Sequence, residues 1–344
     1  MKKMFKLSLI MLLAFSVVLA GCGKKKEETN ASGGESSGTA KSGVKIGLVT
    51  DVGGVNDKSF NQSAWEALEA LRKEKGITDK YLESKSKEVY VTNLNKYVKD
   101  KFDLTWGIGF DLGEDMKKVA EQNPDAHLAI IDAIVDAPNV RSVTFAEQEG
   151  SFLVGVVAGM MTKTGKVGFV GGSEIPVIKR FEAGFKAGVK AANPNAELKI
   201  NYTGAFDKPD MGKAAAATMY NDGVDIIFHA SGATGTGVFN EAIARNKAGG
   251  SKVWVIGVDK DQSLEFGDDV TLTSMVKGVT TAVDKVTREV IDGNFKGGSE
   301  TLGLKDNAVG LADTSSKNVP ADVLKKVDEF KKKIIDGEIK VPEE

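Results

Sequence analysis

Cysteine and histidine are both scarce in this chain of 344 residues. Cys22 is the only cysteine, so no disulfide can form within one chain and no metal site can be built from several thiolates. Histidine occurs at two positions, His127 and His229. Metal-dependent and histidine-based acid–base chemistry are therefore disfavoured, and the sequence predicts neither a metal site nor a cofactor.

A strong excess of charge of one sign is also missing. The 46 Lys and Arg residues nearly balance the 48 Asp and Glu residues, which gives a net charge of −2. Nucleic-acid-binding domains carry a clear basic excess, so nucleic acid is not predicted as a partner. With 41% hydrophobic and 27% charged residues, the composition is that of a globular protein, and the length favours two domains.

The N-terminal segment has the pattern of a signal peptide rather than of a folded domain. Lys2, Lys3 and Lys6 precede an apolar run over residues 7–20. Its 14 residues are fewer than the roughly 20 that a membrane-spanning helix needs. The run ends in the sequence LAGC, which resembles the lipobox of bacterial lipoproteins, in which the cysteine is acylated and becomes the mature N-terminus.

We therefore expect a lipoprotein signal peptide over residues 1–21, lipidation at Cys22 and a flexible, Gly- and Ser-rich tether over residues 22–43. The chain would then lie on the extracytoplasmic face of the cell membrane, held there by its lipid anchor alone. The alternative is a secretory signal peptide followed by an incidental cysteine.

From residue 44 onward, short apolar runs alternate with helical patterns. The runs predict buried parallel strands at residues 44–50, 104–109, 127–132, 140–145, 166–172, 197–203, 225–230, 252–259 and 272–276. The helical patterns lie at residues 58–75, 112–122, 147–162, 176–192, 209–221, 234–247 and 278–292. This alternation predicts an α/β fold with parallel sheets and helices on both faces.

The first and second series of strands look like one unit used twice. They predict two doubly wound parallel-sheet lobes, joined by a hinge that the chain crosses several times. We expect the N-terminal lobe to comprise residues 44–145 plus about 260–293, and the C-terminal lobe to comprise residues 146–259 plus about 294–344.

Polar and aromatic residues occupy the positions at which the predicted strands end. Ligands of open parallel sheets bind beyond the carboxyl ends of the strands, and two facing lobes would place both sets of ends on one cleft. The candidate binding residues there are Asp51, Asp57, Phe60, Asn61, Asp132, Phe206, Gly232, Asp259 and Lys277. Aromatic rings and carboxylates with few cations suit a neutral, polyhydroxylated ligand with a flat ring, whereas a phosphate would want several Arg or Lys side chains.

Several motifs carry a specific resemblance to a known family. They are DVGGVNDKSFNQSAWEAL at residues 51–68, the strand end at Asp132, GSFLVGVVAGMMTKTGKVGFVGG at 150–172, and VIGVDKDQ at 255–262. Together they resemble the basic membrane lipoprotein family, also called the purine nucleoside receptor A-like family, over roughly residues 44–315. The resemblance implies a type I periplasmic-binding-protein fold and the role of a substrate-binding lipoprotein in an ABC importer of nucleosides.

The same resemblance implies roles for the base-side residues. Phe60 and Phe206 would sandwich a purine, and Asp132 would accept hydrogen bonds from the N–H groups of the base. Asp51 and Asn61 would line the base side of the cleft.

For the sugar side, the resemblance implies that Asp259, Lys277 and Gly232 hold the ribose hydroxyls. Asp57 matches the motif, although a direct contact with the ligand is less clearly implied. The expected ligands are nucleosides of the guanosine, inosine and adenosine class. The expected partners are an ABC permease and its ATPase, with the binding protein itself a monomer.

Some of these residues also have purely structural explanations. Phe60 could pack in the core. Asp132 and Asp259 could cap the turns that follow them, and Asp57 could cap a helix that begins near residue 58. Lys277 could be an ordinary solvated lysine.

Two other functional classes compete with transport. An enzyme such as a nucleoside hydrolase would need a metal cluster or an activated nucleophile, and His229, the candidate base, lies in a predicted buried strand. Catalysis is therefore not expected. A surface ligand sensor or adhesin without transport would share the signal peptide and the fold, so this alternative stays open.

Overall fold

The computed structural model describes residues 43–344. The predicted signal peptide (residues 1–21), the lipidation site Cys22 and the tether up to residue 42 lie outside the described residues. Within the described part of the chain, no helix combines the length and the apolarity needed to cross a membrane.

Strands and helices alternate along residues 43–344. The strands are Lys45–Thr50 (β1), Thr78–Leu82 (β2), Leu104–Ile108 (β3), Leu128–Ile131 (β4), Val140–Phe145 (β5), Lys166–Gly171 (β6), Glu197–Tyr202 (β7), Ile226–Ala230 (β8), Trp254–Asp259 (β9), Thr271–Lys277 (β10), Gly298–Leu302 (β11) and Val309–Leu311 (β12). The α-helices are Phe60–Lys75 (α1), Tyr90–Lys99 (α2), Gly113–Gln122 (α3), Glu147–Met161 (α4), Pro176–Ala192 (α5), Pro209–Asn221 (α6), Gly235–Lys247 (α7), Ser263–Phe266 (α8), Val279–Ile291 (α9) and Ala321–Ile335 (α10).

The strands form two six-stranded sheets, one in each lobe. The spatial order is β11-β5-β4-β3-β1-β2 in the first sheet and β12-β10-β9-β8-β6-β7 in the second. Neighbouring strands are parallel except for β12, which runs antiparallel to β10. Inner strands such as β3, β4 and β8 are buried along their whole length, as expected of continuous apolar runs. The predicted α/β class is confirmed.

Strand β2 and helix α2 of the first lobe were not predicted from the sequence. Strand β2 is the edge of its sheet, and its sequence TDKYL is mostly exposed and has no apolar run. Helix α2 buries only Tyr90, Leu94 and Tyr97 between polar residues, and no side chain caps its N-terminus. Short, half-exposed elements leave little periodicity in the sequence.

The predicted lobe boundaries are wrong at two strands. Strand β10 was placed in the N-terminal lobe with residues 260–293, but it pairs with β9 in the second sheet. Strand β11 was placed in the C-terminal lobe with residues 294–344, but it pairs with β5 in the first sheet. The chain therefore crosses between the lobes after β5, after β10 and after β11, and a polar edge strand such as GSETL gives no sign of the sheet it joins.

Helices α4 and α5 approach each other so closely that only glycine fits at the contact. A Cβ atom on Gly184 would lie 2.1 Å from the carbonyl oxygen of Gln148, and one on Gly188 would lie 2.0 Å from that of Phe152. Because α4 follows the first crossing directly, this contact ties the crossing to the second lobe. It also brings the first turn of α4 beside Arg180 of α5.

Candidate functional site

A cavity lies between the carboxyl ends of the strands of the two sheets, where small-molecule pockets of open parallel sheets are found. All nine predicted binding residues line it: Asp51, Asp57, Phe60, Asn61, Asp132, Phe206, Gly232, Asp259 and Lys277. An apolar wall of the cavity, which was not predicted, is formed by Ile175, Val177, Ile178 and Phe181. These residues lie at the start of α5 rather than at a strand end. In residues 43–344, no group of three His, Cys, Asp or Glu side chains is arranged to hold a metal ion.

Two aspartates occupy equivalent strand ends in the two lobes. Asp132 follows β4 and Asp259 ends β9, and both have left-handed backbones, with φ of 70° and 66°. Aspartate tolerates this region better than most residues do. Both side chains are buried, and each carboxylate accepts its hydrogen bond from the opposite lobe: Asp132 from Lys277, and Asp259 from Ser59. These hydrogen bonds run between the lobes and thus give no support to the alternative of turn-capping carboxylates.

Asn61 is held between two carboxylates of the first lobe. Its Nδ2 amide donates to Asp51 Oδ1 at 2.8 Å and to Asp57 Oδ2 at 3.0 Å. This arrangement fixes the amide orientation, since the opposite one would set Oδ1 against both carboxylates. Asn61 Oδ1 is consequently a buried acceptor with no hydrogen-bond partner among the described residues.

Asp57 caps the helix that starts next to it. Its carboxylate accepts hydrogen bonds from the backbone N–H groups of Ser59, Asn61 and Gln62, at 2.8–3.1 Å. These groups are unpaired donors at the N-terminus of α1. Burial raises the pKa of Asp57 to about 6 despite these bonds, and burial likewise raises the pKa of Asp51 to about 6. The predicted structural role of Asp57 accounts for its contacts.

Lys277 ends β10 and reaches across to the first lobe. Its Nζ atom lies 2.6 Å from Asp132 Oδ2 and 3.5 Å from Glu147 Oε1, while Glu147 Oε2 accepts from Arg180 Nε at 2.6 Å. Lys277 is 3% exposed, so the alternative of a solvated lysine is wrong. Burial alone would lower its pKa, but the carboxylates of Asp132, Glu147 and Asp259 together raise it. The ammonium group therefore stays charged.

The ammonium group of Lys277 also lies near three aromatic rings, whose centroids are 4.7 Å (Phe60), 5.3 Å (Phe145) and 5.5 Å (Phe181) away. Such distances allow cation–π attraction. The resemblance placed Lys277 with Asp259 on the sugar side, whereas its direct contact is with Asp132. Asp132 Oδ1, the oxygen that Lys277 does not contact, is a second buried acceptor without a partner among the described residues.

The two predicted stacking rings differ in their surroundings. Phe60 is 9% exposed and belongs to the hydrophobic core as well as to the cavity wall. Its core packing is therefore observed, and its stacking on a base stays a prediction. Phe206 is half-buried, and its ring lies against Gly172, where a Cβ atom would be 2.2 Å from the ring. Gly232 has a φ of 53° and lies beside the Phe206 backbone. Of the two rings, Phe206 therefore contributes less to the hydrophobic core.

Hydrogen bonds join the lobes beside the cavity. Ser59 Oγ donates to Asp259 Oδ2 at 2.5 Å, Gln262 Nε2 donates to the Lys58 carbonyl at 2.9 Å, and Lys260 Nζ lies 2.8 Å from Glu66 Oε1. The first two connect residues just before α1 with the end of β9 and the loop after it, and the third connects that loop with the middle of α1. The lobes are closed on each other in this arrangement.

Comparison with known proteins decides the family. A family model described as ABC transporter substrate-binding protein PnrA-like matches residues 44–344. The chain belongs to this PnrA-like family. A relative from Listeria innocua, named CD4+ T-cell-stimulating antigen, is 48% identical and is covered over 99% of both chains. The ABC transporter nucleoside-binding protein BmpA of Lactococcus lactis is 41% identical, with 96% of each chain covered.

A solved structure agrees with the family in its fold. An ABC transporter solute-binding protein from Aeropyrum pernix K1 is 30% identical, has a TM-score of 0.80, and aligns over 88% of this chain and 94% of its own. The type I periplasmic-binding-protein fold expected from the sequence is confirmed. The family is one of substrate-binding proteins of ABC transporters, which fits a cavity enclosed between two lobes.

The carboxylate of Asp259 provides a test of this buried site through pH. Burial, opposed by Lys277 and by the Ser59 hydroxyl, raises its pKa from 3.8 to about 6. Between pH 3.8 and 6, the Asp259 carboxyl keeps a proton in the folded protein that it has lost in the unfolded chain. Its contribution to the free energy of unfolding is therefore fully present below pH 3.8 and is lost as the pH rises through 6. Asp259→Asn should abolish this dependence, and asparagine tolerates the left-handed backbone.

The measurement is urea-induced unfolding of both proteins from pH 4 to pH 7. The unfolding free energy of the unaltered protein, minus that of Asp259→Asn, should fall by about 2–3 kcal/mol over this range. The titration of Asp51 cancels in this difference, and that of Asp57 cancels apart from its charge interaction with Asp259. A difference that stays constant with pH would contradict the buried environment assigned to Asp259.

Proposed function

We propose that this protein binds nucleosides, purine nucleosides foremost, in the cavity between its lobes and delivers them to an ABC permease. In this role it is a binding protein rather than an enzyme, lipid-anchored at Cys22 on the extracytoplasmic face of the cell membrane and acting as a monomer. Membership of a substrate-binding family supports the role, and the name of the Lactococcus lactis relative, a nucleoside-binding protein, supports the ligand class.

The observation that carries the proposal is the pair of buried acceptors in the cavity wall. Asn61 Oδ1 and Asp132 Oδ1 have no partner among the described residues, and burying such atoms unpaired is costly. A ligand with N–H and O–H donors would satisfy them. The 6-oxopurine bases of guanosine and inosine carry an N1–H donor, and ribose supplies hydroxyls.

The rest of the cavity wall suits the same ligand. Phe60 and Phe206 offer aromatic rings for a flat base, and Lys277 is a donor for an oxygen of the sugar or the base. The cavity is rich in carboxylates, which disfavours phosphorylated nucleotides. We infer that nucleosides bind without a phosphate group.

Delivery would depend on closure of the lobes. The contacts of the α1 start with the loop after β9 form only when the lobes meet, and a bound nucleoside that touches both lobes would favour that state. A permease could then distinguish the closed form from the open one. The energy for release would come from the ATPase of the transporter.

Phe206→Ala tests the aromatic contact. Stacking of a base on a ring contributes about 1–3 kcal/mol, so inosine, guanosine and adenosine should bind roughly 5- to 150-fold more weakly to this variant. Phe206 is preferable to Phe60 because Phe60 also packs in the core. Isothermal titration calorimetry would measure the affinities, with ribose and uridine as comparison ligands.

The matched control is Phe295→Ala, which removes a half-buried ring that stacks on His127 and does not line the cavity. Its affinity for inosine should equal that of the unaltered protein. Unchanged binding by Phe206→Ala would refute a stacking role for Phe206, and failure of the unaltered protein to bind any nucleoside would refute the proposed ligand class.

Cys22→Ser tests the lipid anchor. The acyl acceptor is a thiol and the chain has no other cysteine, so the variant should stay unlipidated. After detergent phase separation of cells that express the full chain, the unaltered protein should enter the detergent phase and the variant the aqueous phase. Equal partitioning of both into detergent would mean that the anchor lies elsewhere.

A further inference from the structure

His229 is a buried titratable side chain that the proposed binding mechanism leaves unused. It lies in β8, is fully buried, and does not line the cavity. Its ring packs against Gly235, where a Cβ atom would be 2.1 Å from the ring, and edge-on against Phe239. The ring is thus fixed by its packing.

Hydrogen bonds around Gln262 determine the tautomer of His229. Gln262 Oε1 accepts from the backbone N–H of Val258 at 2.9 Å, and Gln262 Nε2 donates to the Lys58 carbonyl at 2.9 Å. Reversing the amide would set its NH₂ against the Val258 N–H, so the amide orientation is fixed. Because Oε1 can only accept, His229 Nε2, 2.8 Å away, must carry the proton and donate it.

The second ring nitrogen of His229 faces a residue of the cavity wall. In a neutral imidazole with its proton on Nε2, Nδ1 is an acceptor. Ser231 Oγ lies 3.3 Å from Nδ1, and Ser231 lines the cavity. Ser231 therefore donates its single proton to His229, and only acceptor lone pairs of its oxygen remain for a ligand.

We propose that His229 is a positioning residue that fixes the Ser231 hydroxyl as an acceptor toward the ligand, with Gln262 holding His229 in the required tautomer. This inference rests on the proposed function. It assigns a specificity rule to the second lobe: the ligand must present an O–H or N–H donor at Ser231.

Gln262 also connects His229 to the opposite lobe. Its amide joins His229 to the Lys58 carbonyl of the opposite lobe. The chain Ser231–His229–Gln262–Lys58 thus runs from the cavity wall to the contact between the lobes. Loss of the His229 Nε2 donor would therefore weaken both the orientation of Ser231 and the contact of Gln262 with the Lys58 carbonyl.

Burial lowers the pKa of His229 to about 4, although the hydrogen bond with Gln262 alone would raise it. The imidazole is therefore neutral near pH 7, as the Nδ1 acceptor requires. A neutral glutamine also does not stabilise an imidazolium ion as a carboxylate would, which separates this arrangement from a catalytic triad. Its chemistry is that of recognition.

The first test is spectroscopic and needs no variant at the site. Long-range ¹H–¹⁵N correlation spectra of the unaltered protein at pH 7 report the tautomer of each histidine, and with two histidines in the chain, His127→Asn assigns both. His229 should show a protonated Nε2 and an unprotonated Nδ1. A protonated Nδ1, or an imidazolium, would overturn the proposal.

The second test is a double-mutant cycle with inosine as the ligand. His229→Phe and Ser231→Ala should each weaken binding about 3- to 10-fold, the size expected for one hydrogen bond. The double variant should lose no more than the more affected single variant, because both changes act on one contact. Additive losses would show that His229 acts through general packing and would overturn the proposal.

Analogue ligands and a matched control complete the experiment. The 2′-deoxy, 3′-deoxy and 5′-deoxy forms of inosine, and a form without N1–H, remove the candidate donors one at a time. One of these analogues should bind more weakly than inosine to the unaltered protein. The same analogue and inosine should bind Ser231→Ala with equal affinity. If removal of each donor weakens binding as much in Ser231→Ala as in the unaltered protein, Ser231 accepts a hydrogen bond from none of these donors, and the proposal is wrong.

Ser151→Ala removes a buried hydroxyl outside the cavity wall and should bind inosine as the unaltered protein does. If the unaltered protein binds no nucleoside, the proposed function fails, and with it the ligand role of Ser231. If it binds inosine but His229 has the other tautomer, only the present inference fails.

Discussion

The ammonium group of Lys277 lies between carboxylates from different parts of the chain, and the geometry of the cavity depends on this charge balance. Lys277 ends the last parallel strand of the second sheet, and its partners are Asp132 at a strand end of the first sheet and Glu147 just after the first crossing. Removing one partner of a buried ion pair leaves an uncompensated charge, which is strongly destabilising. The cluster therefore specifies how strand ends of the two lobes face each other.

This balance also shapes what the cavity offers a ligand. Lys277 contacts one oxygen of Asp132, while Asp51 and Asp57 hold the Asn61 amide group. The other oxygen of Asp132 and the Asn61 amide oxygen have no hydrogen-bond partner among residues 43–344. In both cases a neighbouring charge orients a side chain before any ligand arrives. Preorganised acceptors cost less to engage than flexible ones, which suits the proposed binding of a ligand in this cavity.

The positions of the site residues could be predicted because they follow from topology. Parallel strands end at one edge of each sheet, so Asp51, Asp132 and Asp259, each at or next to a strand end, had to approach one cleft once the fold class was known. Their partners could not be predicted in this way. That Lys277 contacts Asp132, or that Ser59 donates to Asp259, depends on how far the lobes close, and no local pattern encodes it.

The errors have equally physical causes. Edge strands such as β2 and β11 are short and polar, so their sequences do not distinguish a strand from a loop or one sheet from the other. The apolar wall from Ile175 to Phe181 belongs to the start of a helix, whose apolar residues look like any core-facing stripe. Sequence patterns report burial well, but they do not report which buried face borders a cavity.

The most direct test is a crystal structure of the protein with inosine. We expect the nucleoside between the lobes, with N–H or O–H donors within hydrogen-bonding distance of Asn61 Oδ1 and Asp132 Oδ1, and with Lys277 still in contact with Asp132. A nucleoside bound elsewhere, or one that leaves both buried acceptors unpaired, would contradict the account.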